Sequence, residues 1–340
     1  MSRHRIGIVG TGGIAHAHIQ GYRTVAGDLG DVVAGCDPDA DRLAAYCDQH
    51  DVPLRFSNAS DLIDSGEVDI IALLTPPAVR AEVIEPACNA GIHMLVEKPF
   101  GERYADARSF TEMAERAPVK MAINHELRFN RDVLALRDAI AAGRLGDILS
   151  VVHDHYYDRR NTRGWRADEE RLEIAIFSIH VIDRIQWLAG VEPVAVTAMT
   201  RHWIPTVRGE SFTALTIEFE RDIVGSMVSS WNANRLPECR LRVDGTAGSA
   251  LSLKDQVAGD SCELLIHTDD GELERLDMGQ ENAFVTSMGE SMRRLLLAVD
   301  SGSEPDHSAR DNLKTMAIMD AAYLSASRGG ARVEISEVTA

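Results

Sequence analysis

The sequence predicts an α/β protein in two parts: a doubly wound parallel sheet, then an α+β domain with a large, mostly antiparallel open sheet. Three observations carry this. Over roughly the first 120 residues, short apolar runs alternate with segments of helical period, the pattern of a parallel sheet covered on both faces. From about Val151 that alternation gives way to successive strand-like stretches with turn signals between some of them. A glycine-rich turn, Gly10-Thr11-Gly12-Gly13-Ile14-Ala15, joins the first apolar run to the first helical segment.

In order, the parallel part reads as strands Arg5–Val9, Val32–Cys36, Ile70–Leu74, His93–Val96 and Lys120–Ile123. Helical spacing occupies Ala15–Val25, Ala40–His50, Ala78–Ala90 and Tyr104–Ala117 between them. The second part reads as strands Ser150–Tyr157, Val194–Thr200, Phe212–Phe219, Ile223–Trp231, Arg240–Asp244 and Cys262–Thr268, with Asp269-Asp270-Gly271 as a turn signal. Helical segments Glu169–Leu188 and Ala283–Ser301 interrupt it, and Ala309–Ser327 closes the chain. The expected domains are 1–123 and 124–340.

The 340 residues suffice for two sizeable cores. A net charge of −18 argues against nucleic acid and anionic membrane surfaces as partners, but not against an anionic small molecule. Five cysteines form no CxxC pair and read as reduced thiols of a cytoplasmic protein. The amino-terminal residues show no apolar leader, and no stretch approaches the ~18 apolar residues of a membrane span.

The glycine turn has the G-x-G-x-x-A form of a dinucleotide fingerprint, in a strand–turn–helix context. Gly10 allows the tight turn, Gly12 the approach of a pyrophosphate, and Ala15 close helix–strand packing; Thr11, Gly13 and Ile14 complete the cradle at the helix's positive end. The second strand ends at Asp37, placed to accept hydrogen bonds from ribose hydroxyls and to repel a 2′-phosphate. No basic residue follows directly, so NAD is expected over NADP, with Arg42 further on as the one contrary feature. These features imply a Rossmann domain. Thr75-Pro76-Pro77 ends another strand; the prolines terminate it, and Thr75 and Pro76 are expected to wall the nicotinamide half.

Glu97-Lys98-Pro99 follows the strand 93–96 and supplies one of four lysines in a chain with 31 arginines. At a strand's carboxyl end, Lys98 stands where open α/β sheets place ligands; the alternative is a surface lysine in a loop. Together, Gly10–Ala15, Asp37-Pro38, Thr75-Pro76-Pro77, Ala90-Gly91-Ile92-His93, Glu97-Lys98-Pro99, Asn124-His125-Glu126-Leu127-Arg128-Phe129, Gly143–Ile148, His180-Val181-Ile182-Asp183 and Gly245–Ser249 resemble the glucose–fructose oxidoreductase / inositol dehydrogenase / MocA family over nearly the whole chain. The resemblance implies an NAD(P)-dependent oxidoreductase of sugars, cyclitols or related polyols, and a homodimer or homotetramer. It maps the family's working lysine onto Lys98 and its working histidine onto His180. It breaks where members commonly carry an aspartate four residues before that histidine: here stands Ile176.

The expected chemistry is hydride transfer between nicotinamide and a secondary alcohol or ketone, with His180 as base and Lys98 holding the oxygen. Glu97 is expected among the cofactor contacts, and Asn124, Arg128 and Asp183 among the substrate contacts. On a regular helix Glu173, Ile176 and His180 share a face, but seven residues span ~10.5 Å, too far for Glu173 to touch His180. Tyr156 to Arg166 is a dense basic tract; Arg159, Arg163 or Arg166 is expected to read a substrate anion, the alternative being salt bridges to Asp158, Asp168, Glu169 and Glu170. Tyr156 and Trp165 are expected to line the same pocket. His153 and His155 share a strand face, which reads as polar packing, and no metal is expected. Two further functions fit: a redox-neutral hydrolase or lyase working through a transient keto sugar, and a silent nucleotide-dependent sensor.

Overall fold

The computed structural model describes residues 3–340 except 234, 257, 258 and 270, so Asp270 of the expected turn lies outside the described residues. The chain divides into two compact units, each discontinuous: 1–126 with 285–313, and 127–284 with 314–340.

The first unit holds a six-stranded parallel sheet: β1 (His4–Val9), β2 (Gly30–Cys36), β3 (Leu54–Phe56), β4 (Ile70–Leu73), β5 (His93–Glu97) and β6 (Met121–Asn124), in the order β3-β2-β1-β4-β5-β6. Strands β4, β5 and β6 are buried on both faces, which is why they read as continuous apolar runs. Helices α1 (Gly13–Val25), α2 (Ala40–Gln49), α3 (Ala59–Asp64), α4 (Ala81–Asn89) and α5 (Tyr104–Glu115) connect them. Residues 54–64, to which no element is assigned from sequence, add the short β3 and α3. The helix expected over 78–90 is split into a 3-10 turn at Pro77–Val79 and α4.

The second unit holds α6 (Arg131–Ala141), β7 (Ile148–Tyr156), α7 (Ile179–Ala189), β8 (Pro193–Arg201), β9 (Phe212–Phe219), β10 (Val224–Ser230), β11 (Glu238–Gly245), β12 (Gly248–Lys254), β13 (Glu263–Thr268) and β14 (Glu274–Asp277). The chain ends with α8 (Ala283–Ser301), α9 (Ala309–Ser327), β15 (Val333–Glu334) and α10 (Ser336–Thr339). Nine strands form one sheet in the order β14-β13-β12-β11-β7-β10-β9-β8-β15; every pairing is antiparallel except β7 with β10. Odd-numbered residues of β7 (Val151, His153, His155) are buried against the α7 side, and Val152, Asp154 and Tyr156 take the other face.

An expected second domain running unbroken from 124 meets a different division, because α8 joins the first unit's core. Met292, Leu295 and Leu296 pack with Ile6, Ile19 and Tyr22. The crossing of α1 and α8 is set by two glycines: a Cβ on Gly21 would stand 2.3 Å from the Val285 carbonyl oxygen, and one on Gly289 2.2 Å from the Gly21 carbonyl oxygen. No helix among the described residues is long and apolar enough to cross a membrane.

Candidate active site

In the first unit β1 ends in the glycine turn. Gly10 has φ +95, and a Cβ there would meet the Leu74–Thr75 backbone at 3.2–3.3 Å, so a side chain is excluded twice over. An ideal Cβ on Gly12 or Gly13 meets nothing within 4 Å: the backbone faces open space. Helix α1 begins there with no side-chain cap and no acidic residue in its first turn, which leaves its amino-terminal N–H groups for an anion. The residues fit a dinucleotide pyrophosphate.

Asp37, 3% exposed, accepts from the Thr11 amide (2.9 Å) and hydroxyl (3.1 Å) and from the Asp39 amide (3.0 Å). Arg42 closes a fork on it, Nε to Oδ2 at 3.0 Å and Nη2 to Oδ1 at 2.5 Å. Burial pushes this carboxyl up, but Arg42 and the backbone donors prevail and hold it below the usual range. Arg42, the contrary feature of the sequence, thus spends its charge on Asp37 and on Asp39 at 3.3 Å.

At the end of β5 the buried Glu97 carboxylate accepts from His18 Nε2 (2.9 Å), Asn124 Nδ2 (2.6 Å) and the Lys98 backbone N–H (3.1 Å). The Tyr22 hydroxyl holds the other nitrogen of His18 at 2.7 Å. Burial opposes ionisation of Glu97, yet His18, Lys98 and Asn124 prevail and hold its carboxyl below the usual carboxylate range. Asn124, expected on the substrate, is fully buried and donates to Glu97. Arg80, which the sequence reading missed, is buried and donates to the Thr75 carbonyl (2.8 Å) and to the Pro99 carbonyl. It ties the loops after β4 and β5 together, and burial lowers its pKa to about 10. An arginine just after Pro76-Pro77-Ala78-Val79 reads as surface; only the fold shows it turned inward.

In the second unit His180, 5% exposed, lies in the first turn of α7. The regular helix expected over 169–188 is absent: Glu173–Ser178 forms a π-helix ahead of α7. The wider turn breaks the expected i, i+3, i+7 face and brings Ser178 Oγ onto Glu173 Oε1 five residues earlier. Glu173, 0% exposed, also accepts from Ser229 Oγ, which stands 2.7 Å from His155 Nε2. Burial pushes the Glu173 carboxyl up; His155, Ser178 and Ser229 pull it lower overall. Glu210 anchors the segment's start by accepting the Leu172 (3.2 Å) and Ile174 (3.0 Å) amides. Ile176 packs against the Leu172, Ile204, Val207 and Trp231 cluster.

Arg128 and Asp183, expected on the substrate, are 1% and 0% exposed and form a fork with each other, at 2.5 and 2.6 Å. Thr315 adds a hydrogen bond to Asp183 at 3.1 Å. Strand alternation sets Tyr156 with Asp154 on the face of β7 opposite His155. In the basic tract Arg160 pairs with Asp158; beyond it Arg171 pairs with Asp320 and Arg208 with Glu170. Arg159, Arg163 and Arg166 have no carboxylate within ion-pair reach among the described residues. Trp165 is half exposed beneath Arg166, whereas Trp231 is core.

His153 accepts from Arg184 Nη1 at 3.2 Å. Burial first, then the charge of Arg184, holds its pKa well below the ordinary value. An unfolded imidazole binds a proton near pH ~6.5 while the folded one does not, so this stability is complete above that pH and shrinks as pH falls. Thermal midpoints taken from about pH 7.5 to about 5.5 should therefore fall more steeply for the wild type than for His153→Gln; equal slopes would remove His153 as the cause.

Residues 4–125 match the model of the oxidoreductase family with an NAD-binding Rossmann fold, and residues 133–251 that of the GFO/IDH/MocA C-terminal domain. A D-apiose dehydrogenase from Paraburkholderia graminis is 25% identical over 354 aligned positions, covering 100% of this chain and 92% of that protein. A 1,5-anhydro-D-fructose reductase from Ensifer adhaerens is 24% identical, with 96% and 98% covered. An oxidoreductase from Agrobacterium radiobacter, solved with NAD+, L-tartaric acid and magnesium, superposes with a TM-score of 0.90 at 22% identity over 99% of both chains, a likeness of fold. Both units carry the matching domains, and the protein belongs to the Gfo/Idh/MocA family of NAD-binding oxidoreductases.

Proposed function

We propose that this oxidoreductase transfers hydride between NAD(H) and a secondary alcohol or ketone of a sugar, cyclitol or sugar-derived acid, with Lys98 and His180 as its catalytic residues. One observation carries the reading. The glycine cradle after β1, Thr75 beyond β4 and Lys98 after β5 lie at the carboxyl ends of three adjacent strands, where the strand order reverses, the place at which such sheets bind their ligands. The sugar class is supported by the names of the two relatives, a dehydrogenase and a reductase of sugars.

When bound, the nicotinamide supplies the hydride acceptor. His180 takes the hydroxyl proton as the carbon's hydrogen leaves with its electron pair, and the Lys98 ammonium stabilises the negative charge growing on the oxygen. Glu97, held by His18 and Asn124, fixes the Lys98 backbone. Arg128 and Asp183 position α7 and with it His180. We propose a cytoplasmic enzyme, and a homo-oligomer; exposed Met199 and Val224 on the open sheet support the latter.

Asp37 underlies the preference for NAD. Asp37→Ser should lower the ratio of kcat/KM for NAD over NADP by ~10-fold or more, because it removes the repulsion of a 2′-phosphate and frees Arg42 to attract one. A screen of sugar acids, inositols and keto sugars with both cofactors, read by nicotinamide absorbance, tests the function. No turnover anywhere by a protein that binds NADH would reject it.

A further inference from the structure

We infer that the second unit contains a carboxylate-recognition subsite built on Arg159, so that the substrate is a sugar acid rather than an uncharged polyol. This rests on the dehydrogenase reading and names the substrate class for it.

The Arg159 guanidinium lies over three aromatic rings, 4.3 Å from the centroid of Phe177, 5.5 Å from Trp231 and 5.6 Å from Tyr157. The rings offer a guanidinium held against them a cation–π attraction but no oxygen acceptor for its N–H donors. Among the described residues those donors meet no carboxylate and no hydrogen-bond acceptor, while the neighbouring Arg160, Arg171 and Arg208 each have an acidic partner.

The backbone beneath it is fixed. The Arg159 amide donates to the Trp231 carbonyl at 2.9 Å, and its carbonyl accepts from the Thr162 amide (3.0 Å) and hydroxyl (2.7 Å). Tyr157 on one side is tied to Ser230 at 2.8 Å and to Ala233 at 2.9 Å. A cation held on a rigid aromatic platform, with its fork open, is pre-organised to receive a planar anion. The buried Trp231 indole N–H also lacks an acceptor. Desolvation by the rings lowers the Arg159 pKa, yet a guanidinium remains charged at any physiological pH.

A carboxylate fits better than a phosphate. One guanidinium supplies one charge and one bidentate edge, which a monoanionic carboxylate satisfies. The buried Glu173 carboxylate, which interacts electrostatically with Arg159, adds a repulsion that a phosphate dianion feels about twice over.

The test pairs acids with their uncharged counterparts: D-gluconate with D-glucitol, and D-galacturonate with D-galactose, plus a hexose monophosphate. Each is assayed with NAD+ and titrated by calorimetry against the NADH-loaded protein. The expected result is that at least one acid is preferred over its counterpart, and that Arg159→Gln raises its KM and Kd by ~10–100-fold with the KM for NAD unchanged. Arg159→Lys, which keeps the charge without the fork, should fall between. Equal binding of acid and neutral members, an acid preference that survives Arg159→Gln, no binding of any acid, or a stronger preference for the phosphate would overturn the inference. Acid binding that Arg159→Gln abolishes, with no turnover of any compound, would support the subsite while rejecting the dehydrogenase reading.

Discussion

Replacing Lys98 with methionine is expected to lower kcat by about 10²–10³-fold while leaving NADH affinity close to that of the wild type. Methionine keeps much of the length and apolar stem but removes the ammonium. The charge on the substrate oxygen is small in the bound alcohol and grows only as the proton and hydride depart, so the loss should fall on kcat rather than KM. The scaffold should survive, because Glu97 grips position 98 through its backbone N–H and keeps His18 and Asn124 as donors when the ammonium is removed. Steady-state kinetics on the best compound of the screen, with NADH binding measured separately, check this. A variant that kept wild-type kcat would remove Lys98 from the chemistry.

Replacing Arg128 with leucine is expected to destabilise the second unit by about 3–5 kcal/mol, because it strands the Asp183 carboxylate in the interior without its guanidinium. Both side chains are buried, so their mutual fork replaces solvation that neither can recover. Adding Asp183→Leu should restore part of the loss, since an apolar pair carries no unmatched charge. Denaturant unfolding of the two variants measures both effects. A contact with substrate, the expectation from sequence, predicts something else: unchanged stability and a raised KM.

Sequence and structure part company in a physically consistent way. The cofactor half was legible because its chemistry is carried by backbone: Gly10, Gly12 and the strand before them have a fixed spacing that any dinucleotide turn must keep. Lys98 was legible for the same reason, as the residue just beyond a buried strand. Where a side chain's direction matters, spacing along the chain carries no signal. Asn124, Arg128 and Asp183 look like ligand contacts in a polar list, yet each turns inward to a partner brought close by the fold, as Asp183 is to Arg128 across 55 positions. Arg80 is the converse, a residue that looks superficial and is buried. Glu173 escaped because its placement depends on a π-turn, and helical spacing rules assume 3.6 residues per turn. Strand β12 was missed because its Gly248-Ser249-Ala250 start carries little β-branched signal, and its pairing partners β11 and β13 supply what propensity lacks.

The most direct test of the central claim follows the transferred hydrogen itself. A substrate deuterated at its carbinol carbon is incubated with the protein and NAD+, and the reduced cofactor is analysed by mass spectrometry. The account predicts that deuterium appears in the NADH, at a rate that collapses in Lys98→Met and in His180→Asn although both variants still bind NADH. Substrate consumed with no label reaching the nicotinamide, or label transfer undiminished in both variants, would contradict it.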